Sequence, residues 1–492
     1  MGSKDIITSD LVVVGGGAGG LAAAVAAAEK GIKVTVLEKY HAPGGNALFA
    51  VSLFAAESQL QKNAGIQALR DTFFKRAMEW SHWRADGRLI RTLIDKSGET
   101  IDWLQEKGVK FERITLPESN QKSPQMLFPP TADYPFPFWA GGVKRGARSI
   151  GDAVIKVLIE NCRQLDVKIL CDTRAKQILT DKAGQVIGVL AQSQENDISI
   201  NSKTVIISTG GFLGNKELMK KYFHSYTDDL YDDIYLWGLP HMGDGLLMAQ
   251  EIGANTDGTV AFEWEGNKFP WLPVGSSVFH LTENHNCIWV NKKGERFVDE
   301  SEGSALNSLY RQLHKTFYVV FDEKIKQALY SEASNRSINR ITPIEADKEL
   351  QLQVEKGRVK IDNSLEEIAK WIGADSKVLR STIDEYNSFC NKGHDDIFLK
   401  NPANLIALND QPYYAIKCCL NMILTRGPLK VSCYMEVINK EDNPIPGLYA
   451  AGVDIGGTDS DTYCGTLSGH SLSFALNSGR IAAESAVKYI SS

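Results

Sequence analysis

Long apolar runs are missing from this chain of 492 residues: stretches such as Leu11–Val14 and Val205–Ile207 are strand-length, far short of the roughly 20 apolar residues a helical span needs. No membrane span is therefore expected. Met1 to Asp10 carries no cationic head followed by an apolar run, so a soluble, cytoplasmic chain is expected. Basic blocks are also absent, and 54 Lys and Arg stand against 60 Asp and Glu, a formal net charge of −6. Such a balance offers no general field to nucleic acid or anionic lipid, so neither is expected as a partner. With only 16 Pro, no internal repeat and no low-complexity linker, fibrous, repeat and disordered classes drop out. The eight Cys include the adjacent Cys418–Cys419 but no C-x-x-C. That removes a redox dithiol of that spacing and a haem attachment site, and leaves buried free thiols as the expectation, with no metal site.

Glycine, by contrast, is plentiful, with 42 residues, and its placement near the start is informative. Asp10-Leu11-Val12-Val13-Val14 reads as a strand buried on both faces. It runs into Gly15-Gly16-Gly17-Ala18-Gly19-Gly20, an Ala-rich helix to Lys30, and a second strand Lys33–Leu37 ending in Glu38. Gly15 permits the tight turn, Gly17 lets backbone approach a pyrophosphate, and Gly20 lets helix and strand pack closely. The helix N-terminus offers donors and positive dipole to phosphate. Glu38, 18 residues past Gly20, is placed to accept ribose hydroxyls. Together these predict a dinucleotide site.

Further on, the spacing predicts helix over 71–107, a Pro- and aromatic-rich loop over 114–140, helix over 154–162, and strands at 167–171, 186–191 and 205–209. The last of these exits through Ser208-Thr209-Gly210-Gly211-Phe212. Gly243-Asp244-Gly245 opens a helix, and Val290 to Glu300 carries V-N-x-x-G-x-R-F-V-D-E. Pro446 to Asp454 reads as a strand with a Gly-rich exit, and Leu467 to Lys488 as a closing helix.

Taken with Lys39-Tyr40-His41-Ala42-Pro43-Gly44-Gly45-Asn46, these motifs make the chain resemble the fumarate reductase/succinate dehydrogenase flavoprotein superfamily over essentially its whole length. The resemblance implies an α/β fold: a Rossmann-like, glutathione-reductase-type FAD-binding domain, residues 1–258 and 425–492, with an inserted α+β capping domain, 259–424, and a substrate pocket between them. It implies FAD contacts from Gly15, Gly17, Gly19 and Gly20 at the phosphates, Glu38 and Lys39 at the ribose, and Gly45, Asn46 and Ala47 over pyrophosphate and flavin. Ala175 would meet adenine, Thr209, Gly210 and Asp244 would flank the cofactor, Asp454 would hydrogen-bond the ribitol, and Ser471 and Leu472 would start the last helix at the flavin O2 edge. No His stands in Gly45-Asn46-Ala47-Leu48-Phe49, so non-covalent FAD is expected, with His41 at the surface.

The sequence departs from the superfamily where a dicarboxylate would be held. Two fixed cations suit two carboxylates, yet the family's Arg after the hairpin aligns with Ser304, its His with Leu424, and its last Arg within 463–466, where none occurs. Fumarate and succinate are therefore not expected as substrates. Asp461-Thr462-Tyr463 instead brings a phenol before the closing helix, and a Tyr near this point serves an activated enone in the related 3-ketosteroid dehydrogenases. A positioned phenol is a competent proton donor. Tyr463, Arg426 and Tyr134 are the catalytic candidates, with Tyr434 a further hinge residue and His470 a flavin-side or structural contact. The expected reaction is reduction, or formation, of an activated C=C bond in an apolar, aromatic or steroid-like alkene or enone. Electrons would be exchanged with an external partner: NAD(P)H, reduced flavin or a partner flavoprotein. An oxidase of the same superfamily and a non-catalytic flavin-binding module are the alternatives.

Overall fold

The computed structural model describes residues 5–50, 52–111, 113–115, 126–128, 150–193, 196–223, 235–236, 238–257, 261–264, 277–282, 284–302, 305–312, 315–335, 343–419, 421–464, 467 and 469–492. At its centre is a six-stranded sheet in the order Glu436–Ile438, Pro444–Ala450, Thr204–Ile207, Leu11–Val14, Val34–Leu37, Lys168–Leu170. All neighbours run parallel except the antiparallel edge pair of the first two strands. Every residue of Leu11–Val14, Val34–Leu37 and Thr204–Ile207 is buried. That is why these strands read as unbroken runs rather than alternations: both faces of the sheet are covered. The helices Ala18–Ala28 and His470–Ser491 pack against each other here, so closely that a Cβ on Gly479 would stand 2.1 Å from the Gly19 carbonyl oxygen.

A second sheet orders Asp5–Thr8, Asn196–Asn201, Val186–Ser193 and Thr173–Thr180. The first of these strands precedes the sequence-predicted start of regular structure; its partner Asn196–Asn201 lies far along the chain, beyond any local signal. A three-stranded sheet joins Tyr235–Leu236, Asn421–Arg426 and Ala261–Trp264, and an antiparallel sheet orders Ile288–Val290, Thr316–Asp322, Tyr413–Cys419 and Val359–Asp362. Helices Glu323–Asn335 and Leu365–Ile372 pack on the latter. The architecture is α/β, a Rossmann-like, glutathione-reductase-type fold with an inserted α+β part. No helix among the described residues is long and apolar enough to cross a membrane.

One local expectation needs correction. The helix expected over 71–107 is two helices, Arg70–Trp80 and Gly87–Glu106. The break contains His82 and Trp83 at positive φ, and Asp86 restarts the helix as its N-cap, accepting from the Arg88 and Leu89 amides at 2.9 and 3.0 Å. The V-N-x-x-G-x-R-F-V-D-E string turns back on itself as a minimal hairpin, closed by the antiparallel Val290–Arg296 bridge and by the Asn291 amide donating to the Glu295 carbonyl at 2.9 Å. Arg296 turns inward to grip Glu300 at 2.8 Å and Asp395 at 2.7 Å, and Lys400 reaches Glu300 at 3.2 Å. Tyr386 and Phe398 roof this buried cluster, their rings 5.2 and 4.9 Å from the guanidinium carbon.

Candidate functional site

One cleft of about 1520 Å³, counting its open mouth, runs along the carboxyl ends of the central strands. That is where ligands bind in open α/β sheets. Gly15, Gly17 and Gly19 line it, while Gly20 lies beneath. The glycines divide the work as the spacing requires. Gly15 has φ +105°, and a Cβ there would meet the Ser208 carbonyl oxygen at 2.0 Å; a Cβ on Gly20 would stand 1.9 Å from the Gly15 oxygen. A Cβ on Gly17 would meet nothing within 4 Å, so bare backbone faces the cleft. The helix that follows has neither a side-chain cap nor an acidic residue in its first turn, which leaves its positive end for an anion.

Glu38, at the end of the second strand, accepts from the Gly16 and Tyr40 amides, each at 2.9 Å. A carboxylate has about four acceptor sites, so the remaining ones can take ribose hydroxyls. Burial pushes the Glu38 carboxyl up, against the amides and Lys39 that pull it down. Next to it Lys39 and Arg174 both pair with Asp244, and Ala175 completes this end. The Gly-Gly-Asn loop lies over the phosphate loop through the Gly44 amide to the Gly16 carbonyl at 2.8 Å. Asn46 locks it in place, accepting from the Leu239 amide at 2.8 Å and donating to the Ile423 carbonyl at 3.3 Å. Gly45 and Ala47 line the wall beside it. These residues fit a flavin dinucleotide: a glycine cradle, a helix N-terminus for phosphate and an acid for ribose share one continuous surface.

Thr209 and Gly210 also line the cleft; Asp454 does not. Its buried carboxylate accepts from the Thr209 amide and hydroxyl, from the Gly210 amide at 3.0 Å and from the Gly211 amide at 3.3 Å. Asp454 thus holds the Ser-Thr-Gly-Gly turn from behind, and its neighbours Gly452 and Val453 form the wall where the sequence reading set the acid itself.

At the far end Ser471 and Leu472 open the terminal helix, which again has no acidic first turn. Its N-cap, Gly469, has φ +80° and is pressed against the Ser52–Leu53 backbone. Tyr463 lines the cleft here, its ring lying parallel on His470 with centroids 4.4 Å apart. His470 is itself clamped: Nδ1 donates to the Leu467 carbonyl at 2.7 Å, and Nε2 stands 3.4 Å from Asp459. Arg426 is not on the wall. It is buried behind it, with Nε donating to Asp459 at 2.6 Å, Nη1 to the Ser471 hydroxyl at 2.9 Å and Nη2 to Thr458 at 3.2 Å. Its guanidinium carbon lies 5.9 Å from the Tyr463 ring centroid. Burial would raise the Asp459 carboxyl, but Arg426 and His470 outweigh it and hold it well below the usual range. Tyr434 is 64% exposed and off the cleft, His41 is exposed, and Tyr134 and Ser304 lie outside the described residues. Leu424 lines the cleft.

Three features escaped the sequence reading. His241 lines the cleft, and its Nδ1 is buried with no hydrogen-bond partner among the described residues. Burial is the main cause that pushes its imidazole down to about 4, with Lys39 adding to it. Arg174 and Asp459 also emerged only with the fold, since the partners of both lie tens of residues away.

Residues 10–465 match the family described as the FAD binding domain. The chain is 30% identical over 500 residues to the vinyl phenol reductase of Lactiplantibacillus plantarum, covering 98% of this chain and 96% of that protein. It is 29% identical to the cytochrome fumarate reductase of Shewanella frigidimarina, covering 98% of this chain and 77% of that one. Among solved structures, the 3-ketosteroid-delta4-(5alpha)-dehydrogenase from Rhodococcus jostii RHA1 has a TM-score of 0.74 at 23% identity, over 99% of this chain and 98% of that chain, a likeness of fold. With the glycine-lined cleft and the family match in agreement, the chain belongs to the FAD-binding-domain family of flavoproteins and is an FAD-dependent oxidoreductase.

Proposed function

We propose that this oxidoreductase reduces, or in reverse forms, an activated C=C bond in an apolar, aromatic or steroid-like substrate rather than a dicarboxylate. The observation that carries this reading is the pairing of charge at the cleft. Among the described residues, the lining cations Lys39 and Arg174 are tied to Asp244, and Arg426 is tied to Asp459 behind the wall. Lys39 and Arg174 share the one Asp244 carboxylate at the ribose end of the cleft; at the Tyr463 end no described lining residue is a cation, so a dicarboxylate there would enter without one to meet it, which desolvation makes costly. A vinyl phenol reductase as a relative at 30% identity supports the same substrate class.

Bound non-covalently, FAD supplies the hydride donor and acceptor at N5 of its flavin. Gly15, Gly17 and Gly19 would hold its phosphates, Glu38 its ribose, and Ser471 and Leu472 the end nearest Tyr463. The Tyr463 hydroxyl gives its proton to the carbon that does not receive hydride, and solvent restores it; in the reverse direction the phenolate accepts that proton. His470 holds the phenol ring by stacking. Residues 259–424 serve as the capping part over the substrate, and electrons are exchanged with NAD(P)H, reduced flavin or a partner flavoprotein. An amino-acid oxidase would need a cation for its substrate carboxylate, and the Arg426–Asp459 pair argues against one.

The test is anaerobic re-oxidation of dithionite-reduced protein by 4-vinylphenol, an enone steroid, cinnamate and fumarate. The neutral alkenes should re-oxidise it fastest; rapid turnover of fumarate would contradict the reading.

A further inference from the structure

The Arg426–Asp459 pair has a property that a plain structural ion pair lacks: only one side chain separates it from the cleft. The guanidinium donates to Ser471, a lining residue, and lies 5.9 Å from the ring centroid of Tyr463, another. A cation in that position is what a substrate carboxylate would seek. What cancels it is Asp459, buried with it at 2.6 Å, accepting in addition from Thr458 at 3.1 Å and from the Cys464 amide at 3.2 Å. Burial and Arg426 pull the His470 imidazole below its ordinary value, against the hydrogen bond to Asp459 that pulls it up. Within the cluster the Asp459 carboxylate offsets the Arg426 guanidinium directly.

We infer that Asp459 is a specificity-determining residue: by neutralising Arg426 behind the Tyr463–Ser471 wall, it makes the cleft refuse carboxylates and accept uncharged alkenes. The inference rests on the neutral-substrate reading above and names the residue that enforces it. Removing the negative charge leaves one guanidinium uncompensated in a low-dielectric setting, where its attraction for an anion a side chain away is far larger than in water. Asn at 459 keeps the shape, and its one oxygen can still accept from Arg426 and Thr458 at the loss of the Cys464 amide.

The experiment uses flavin-loaded full-length protein and two probes of one shape, benzoate and neutral benzamide, with binding read from the change in the flavin absorption spectrum. For Asp459→Asn the benzoate Kd should fall by about tenfold or more, and the benzamide Kd should stay within about twofold, since no charge meets it. Adding Arg426→Met to Asp459→Asn should abolish the gain. Asp459→Ser, which removes the charge with a smaller side chain, carries the same expectation should the Asn variant fail to keep its flavin. Flavin-loaded Asp459→Asn or Asp459→Ser protein that binds benzoate no tighter than the unchanged protein would overturn the inference, as would a gain that survives the loss of Arg426. Unchanged protein that reduces cinnamate as fast as 4-vinylphenol would instead remove the neutral-substrate reading, and the Kd comparison among variants would still stand on its own.

Discussion

The molecule buries two arginine clusters of similar chemistry in different surroundings. Around Arg296, two cations and two carboxylates close on one another beneath Tyr386 and Phe398, and none of the four lines the cleft. Around Arg426, one guanidinium, one carboxylate and a clamped imidazole press against the cleft wall from behind. Burial and ion pairing alone therefore do not mark a site; contact with a cavity wall does. The first cluster pins an irregular arm of chain into place. The second sets what a cavity tolerates.

The sharpest way to break this contrast is to cut the Arg296 cluster. Arg296→Met takes from Asp395 its paired guanidinium and from Glu300 one of two cations, Lys400 remaining, a loss that costs about 3 kcal/mol, so denaturant unfolding should show a large fall in stability. The flavin spectrum of the protein that remains folded should be unchanged; lost flavin with intact stability would reverse the roles given to the two clusters.

His241 sharpens the contrast from the side of a buried polar group. Its folded value of about 4 lies below the unfolded value of 6.5. As pH falls the unfolded chain takes up the proton first, so the stability present above about pH 6.5 drains away towards pH 4. The difference, at 1.36 kcal/mol per unit, amounts to about 3 kcal/mol. Unfolding measured at pH 7 and pH 4.5 should show His241→Gln losing markedly less stability than the unchanged protein over that interval; equal losses would remove His241 as the cause.

Tyr463→Phe should cut alkene reduction by about a hundredfold, the lower range for a lost proton donor, while leaving FAD retention and unfolding midpoint in place. Full turnover by this variant would take the donor role from Tyr463. The smallest effect is expected at the helix start: Asp86→Ala should cost about 1 kcal/mol, seen in thermal unfolding and not in the flavin spectrum.

What the sequence disclosed and what it hid follow from range. The Leu11 to Glu38 unit was legible because turn, helix and strand lie within one short stretch, and each glycine has a steric reason visible in spacing alone. Asn46, Ser471 and Leu472 came from motif resemblance, and the structure sets all three on the cleft. Asp454 was set at the ribitol by the resemblance, but its side-chain direction depends on Thr209–Gly211, some 245 positions away. Arg426 looked available as a cation because nothing in its vicinity names Asp459, 33 residues on, as its partner. The string around Arg296 was recognisable, yet its purpose was not: Asp395 and Lys400, which complete the cluster, lie about a hundred residues later. Local steric grammar survives in sequence, whereas long-range charge pairing does not.

The claim on which the rest stands is that the glycine-lined cleft, closed by the terminal helix, holds FAD without a covalent bond. Acid denaturation of the purified protein, followed by chromatography of the supernatant, tests it most directly. Stoichiometric release of intact FAD from yellow protein is the expected result; protein that stays colourless after incubation with FAD, or flavin that remains attached to the precipitated chain, would contradict it.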